Sequence, residues 1–105
     1  MARSHLANRV DGNHKEIVKH FEAFGCSVLS IADLANCCDI CVGLHGRTIM
    51  IEIKDGKKVP SARKLTSGEI AFKESWKGCW RLCESIKDAD KIIAELTSPE
   101  KLYTR

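Results

Sequence analysis

The sequence predicts an α/β domain, a central mixed sheet flanked by helices, and three observations carry that prediction. Strand-like and helix-like stretches interleave along the chain. Two short apolar runs, Asp39–Leu44 and Thr48–Lys54, flank a turn at His45-Gly46-Arg47, which is the pattern of a β-hairpin. Thr66-Ser67-Gly68-Glu69 and Ser85-Ile86-Lys87-Asp88 resemble capping boxes, the second with Asp in place of Glu, and each opens a helix. The predicted order is helix, strand, strand, strand, helix, strand, helix. A chain of 105 residues holds one domain with a single core.

The first helix begins near Asp11 or Asn13, either of which can serve as N-cap. Ile17, Val18, Phe21 and Phe24 form its apolar stripe, and Gly25 supplies the stop. Cys26–Ile31 reads as the first strand, and Ala32–Cys37 as a connection. The hairpin follows. Alternation along its second strand places Ile49, Ile51 and Ile53 on one face and Glu52 and Lys54 on the other. Antiparallel pairing brings Asp39, at the head of the first strand, beside Glu52.

Gly56 and Pro60 mark a loop that carries Lys57, Lys58, Arg63 and Lys64. Thr66 caps the second helix, where Phe72 and Trp76 share a face and Lys73 and Lys77 recur four apart; Gly78 ends it. Both tryptophans, Trp76 and Trp80, read as core rather than as base-stacking platforms, since no aromatic pattern repeats. Cys79–Glu84 is the last strand. Ala89, Ile92, Ile93 and Leu96 give the last helix its apolar face, and a tail with Pro99 follows.

Composition narrows the class. Apolar residues make up 44% and charged residues 30%, as in an ordinary globular domain. No apolar run approaches the ~18 residues of a membrane span. Met1-Ala2-Arg3-Ser4-His5 has no apolar segment behind it, so neither membrane nor secretion is expected, and the cytoplasm is the expected compartment. A net charge of +3 does not by itself indicate nucleic acid. The six cysteines, with no sign of export, read as reduced, partly buried thiols. A zinc site from Cys38, Cys41, Cys79 and Cys83 is disfavoured, because Cys38 and Cys41 fall on opposite faces of a strand.

Two carboxylates and an ammonium at the mouth of a hairpin suit divalent-metal chemistry on a phosphodiester. Carboxylate oxygens can hold Mg²⁺, and a cation such as Lys54 can orient water or stabilise charge on phosphate oxygens. Asp39, a spacer, then Glu52-Ile53-Lys54 resembles the core motif of the PD-(D/E)XK nuclease superfamily. The resemblance is closest to small phage and bacterial proteins near the VRR-NUC (virus-type replication-repair nuclease) and Holliday-junction-resolvase branches. It covers positions about 13 to 96, and the run Lys57-x-x-Pro60-Ser61-x-Arg63-x-Leu65-Thr66 is similar to the segment that follows the motif in phage relatives. Asn36-Cys37-Cys38 stands where such proteins often have glycines and a proline.

The resemblance implies a restriction-endonuclease-like domain that hydrolyses DNA with Mg²⁺ or Mn²⁺ in the cytoplasm of a bacterium or phage-infected cell. Asp39 and Glu52, with the backbone carbonyl of Ile53, would be metal ligands and Lys54 the catalytic cation. Glu16 would be an auxiliary ligand or base; otherwise it complements the dipole of the first helix. Glu69 caps its helix, approaches the site, or does both. Lys57, Lys58, Arg63, Lys64 and Lys73 would grip DNA, or face water as ordinary surface charge. So small a nuclease would read shape and backbone, with branched DNA as its substrate and a two-fold homodimer as its assembly. Two other functions fit the same residues: a nuclease-fold DNA- or partner-binding module without chemistry, and a zinc-stabilised interaction domain.

Overall fold

The computed structural model describes residues 12–99. They form an α/β domain of three α-helices and a four-stranded mixed sheet. The elements are α1 (His14–Ala23), β1 (Ser27–Ser30), β2 (Ile40–Leu44), β3 (Arg47–Ile53), a 3₁₀ turn (Pro60–Arg63), α2 (Ser67–Ser75), β4 (Cys79–Cys83) and α3 (Ile86–Thr97). Strand order in the sheet follows the chain, β1-β2-β3-β4. The first two pairings are antiparallel and β3–β4 is parallel, so α2 and the 3₁₀ turn form the crossover.

The hairpin register pairs Leu44 with Arg47 and Ile40 with Ile51, leaving His45 and Gly46 as a two-residue turn. Both turn residues have positive φ (54° and 78°), the backbone of the type I′ turns that match strand twist. Gly46 meets this demand without a Cβ penalty, and His45 carries the strain. The turn is one residue shorter than the sequence suggests, because Arg47 joins β3. There its guanidinium donates to the Glu95 carbonyl at 2.9 Å.

Two sides of the sheet differ. On one, Val42, Ile40, Ile49, Ile51, Ile53 and Cys83 pack against Ile17 and Phe21 of α1 and Ala89, Ile92 and Leu96 of α3. Each large aliphatic side chain removed from water there contributes about 1.5–3 kcal/mol. The rim of this closed side is tied by Arg81 to Glu95 (Nε–Oε2 2.9 Å) and by His20 to Asp90 (2.7 Å). The other side carries the row Leu29–Cys41–Met50–Trp80 across all four strands, followed by Glu52 beside Leu82. Among the described residues, α2 and the turn region after β1 lie over it, and α2 buries no residue completely.

Asn13 occupies the N-cap position of α1 without capping it. Its amide instead donates to the carbonyls of Lys54 (3.1 Å) and Glu84 (3.2 Å), pinning the start of α1 to the ends of β3 and β4. The alternative cap, Asp11, lies outside the described residues. Thr66 forms the expected reciprocal capping box with Glu69, and the Ser85 hydroxyl accepts the Asp88 N–H. The Asp88 carboxylate takes the Glu84 N–H rather than that of the cap residue, so the second box is incomplete. Among the described residues no helix is long and apolar enough to cross a membrane.

Candidate functional site

Asp39 stands immediately before β2, with its N–H donated to the Ile51 carbonyl at 3.1 Å. Its Oδ2 accepts the Ile53 N–H at 2.7 Å, so Asp39 holds β3 on either side of Glu52, by its backbone at Ile51 and its carboxylate at Ile53. The hairpin therefore places Asp39 and Glu52 together as the alternation and turn predict. Glu52 is 4% exposed, the one buried charged-type residue among those described. Parallel β4 on one side and β2 on the other make β3 central, so Glu52 is buried although it lies on the less covered face.

Burial pushes the Glu52 carboxyl up to about 10, aided by contact with the carboxyls of Asp39 and Glu69. Near neutral pH Glu52 therefore holds a proton. Glu69 behaves oppositely. Burial would raise it, but the Thr66 N–H, the Lys54 ammonium and the hydrogen bond from Glu52 outweigh that and hold it below the usual carboxylate range. Its Oε1 accepts the Thr66 N–H at 2.8 Å and lies 2.9 Å from Lys54 Nζ. Capping and site contact are thus one arrangement: the box that starts α2 aims Glu69 at Lys54 and Glu52.

Asp39, Glu52 and Glu69 line one cavity of about 350 Å³, with Thr66 and Gly68 on one wall. The opposite wall is the 32–38 connection, including Asn36, Cys37 and Cys38. Asn36 takes φ 57°, a turn conformation that asparagine tolerates. The Cys38 thiol donates to the Ile40 carbonyl and stays protonated, since burial and the nearby Cys37 and Glu52 all disfavour its thiolate. All six cysteines are free thiols, and burial pushes Cys83 up to about 12. The contribution of Asn36–Cys38 to the wall has no signal in the sequence beyond its position before Asp39.

Glu16 lies elsewhere. It lines a second cavity of about 420 Å³ with Asp55, Lys57, Arg63, Glu84 and Asp88. The reason is Asn13, which fixes the start of α1 over the ends of β3 and β4; the third carboxyl touching Glu52 is that of Glu69 instead. Arg63 is also committed. It pairs with Glu84 at 3.1 Å and donates to the Lys58 carbonyl at 2.9 Å, so it braces the basic loop. Lys57, Lys58 and Lys64 are exposed, and Lys73 sits over the Trp80 ring at 4.9 Å. Trp80 is half-buried as expected of a core residue, whereas Trp76 remains 36% exposed.

Chemically, the cavity offers hard oxygen donors, one of which, Glu69, is paired with the Lys54 ammonium. Among the described residues no three His, Cys, Asp or Glu side chains are spaced to hold an ion as they stand. Mg²⁺ commonly takes only one or two carboxylates and completes its shell with water and phosphate. Compared with family models, curated proteins and solved structures, the chain matches none.

Proposed function

We propose that the chain is a divalent-metal-dependent endonuclease of the PD-(D/E)XK type, with a restriction-endonuclease-like fold, that hydrolyses DNA phosphodiester bonds. Glu52 carries the reading. A carboxyl 4% exposed and pressed against two others contributes little to folding but suits a place where a cation completes the set. Asp39 and Glu52 would hold Mg²⁺ or Mn²⁺, with the Ile53 carbonyl as a further donor. Bound there, the metal would polarise the scissile phosphate and acidify a water.

The chain's own groups supply the rest. Glu52 must lose its proton to act as a ligand, so metal affinity rises with pH. Asp39 is held ready by the Ile53 N–H, which fixes its carboxylate relative to β3. Lys54, now paired with Glu69, can exchange that partner for a phosphate oxygen and stabilise the charge that grows there. Glu69 is the auxiliary carboxylate in place of Glu16. Exposed Lys57, Lys58 and Lys64 would meet the DNA backbone, and recognition would rest on shape, with branched DNA cut by a homodimer.

The test is cleavage of labelled duplex, single-stranded, flap and four-way-junction DNA with Mg²⁺ or Mn²⁺, wild type beside Glu52→Ala. Metal-dependent cutting that the variant lacks supports the reading, and the preferred substrate separates junction from flap. If both proteins bind DNA and neither cuts, the chain is a binding module with the same fold. Sedimentation as a monomer together with single-site nicking would remove the dimer.

A further inference from the structure

The face of α2 that delivers Glu69 to the site continues outward. Glu69, Phe72, Lys73 and Trp76 are spaced i, i+3, i+4, i+7, so one stripe runs from the carboxyl cluster to the end of the helix. Trp76 caps that end. Its ring stacks on Phe72 with centroids 5.5 Å apart and planes 22° from parallel. The Gly78 backbone approaches its indole edge so closely that a Cβ there would lie 2.9 Å from Nε1. Held on one side by Phe72 and along an edge by Gly78, Trp76 still leaves 36% of its surface in water. A large aromatic group held in this way with a third of its surface in water is a pre-organised partial surface.

Its surroundings select the occupant. Lys73 and Lys77 flank Trp76 in sequence with Glu74 between them, all three exposed, and the Lys73 ammonium lies over the neighbouring Trp80 ring. Cations beside a partly exposed aromatic ring match a nucleic-acid strand, whose phosphates meet the charge while a base covers the exposed part of the ring. We propose that Trp76 is a stacking platform for an unpaired base of a DNA strand that runs past the carboxylate site; this rests on the nuclease reading above. Seven residues of helix separate Glu69 from Trp76, ~10 Å at 1.5 Å per residue. That span is about three stacked nucleotides at ~3.4 Å each. The preferred substrate therefore has unpaired bases about three nucleotides from the scissile phosphate.

The test reads binding without metal, so its failure is separable from failure of hydrolysis. In a Trp80→Phe variant only Trp76 fluoresces; dT₁₅ added in EDTA is expected to quench it, and blunt duplex to do so weakly. Trp76→Leu is expected to weaken dT₁₅ binding roughly 10- to 100-fold, the worth of one stacked base, with duplex binding nearly unchanged and Trp76→Phe largely retaining affinity. Absence of quenching overturns the platform, as does full affinity in Trp76→Leu or tighter binding of rU₁₅ than of dT₁₅. A change in Trp76 fluorescence with protein concentration alone would mean that a second copy covers the ring, which also overturns it. Quenching by dT₁₅ with no cleavage in Mg²⁺ would leave the platform standing and remove the hydrolytic reading.

Discussion

The two sides of the sheet use one strand for different ends. Along β3, Ile49, Ile51 and Ile53 face α1 and α3 in a dry, fully apolar layer. Between them on the opposite side, Met50 and Glu52 lie under α2, where the neighbours are carboxyls, thiols and an ammonium. Residues on both sides are buried, but one side of the strand meets only apolar side chains, whereas the other borders a cavity lined by carboxyls. The closed side is built for stability. The carboxyl side holds its groups in a state that a bound cation would relieve, and its cover is a helix with no fully buried residue.

Substitutions on the two sides should therefore separate. The largest effect is expected from Glu52→Ala, which should lower metal-dependent cleavage by about 10²–10³-fold or more while the protein still folds. Single-turnover rates on a cleavable DNA measure it. Ile51→Ala, one residue away on the closed side, should instead cost about 2–5 kcal/mol of stability in urea denaturation. If the two variants show the same pattern of loss, the division between the sides is wrong.

A pH profile sharpens the contrast. Glu52 sits at about 10 in the folded chain against an ordinary 4.5, so the folded state keeps a proton that the unfolded state has released. Its contribution is complete below about pH 4.5 and declines as pH rises towards 10. Metal-free protein should lose thermal stability across that window, and Glu52→Gln should flatten the decline. Mg²⁺ should stabilise the wild type more at pH 8.5 than at pH 6, since binding displaces the proton. A wild-type profile identical to that of Glu52→Gln would show that Glu52 is not held protonated.

Smaller effects are expected at the cover. Thr66→Ala removes the capping hydroxyl and should cost about 1 kcal/mol, seen as faster amide exchange confined to α2. Lys57→Ala should leave stability unchanged and reduce the salt dependence of DNA binding by about one phosphate contact. A global rather than local response to Thr66→Ala would mean that α2 belongs to the core.

Much of this was legible in the sequence, for physical reasons that can be named. The hairpin declares itself because its alternation and Gly46 turn are local, and they alone bring Asp39 to Glu52. The capping box at Thr66 is equally local. The protonated state of Glu52 is not legible, since a Glu alternating with isoleucines reads as a solvated face until β4 and α2 are placed. Asn13 looks like a helix cap, yet its partners lie 41 and 71 residues away, and that long reach directs Glu16 to the other cavity. Arg63 reads as a phosphate grip until Glu84 appears beside it. Trp76 follows an apolar pattern that does not reveal which side of the helix remains uncovered.

The order of strands in the sheet also has a kinetic consequence. β1, β2 and β3 pair as a meander of neighbours, so little chain must be gathered to form it. Asp39 and Glu52 both belong to this early unit. Parallel β4 can join only after the crossover through α2 closes a much longer loop, and Glu69 travels with that crossover. Loop-closure cost thus favours assembly of the acidic pair before the crossover brings in the third carboxyl.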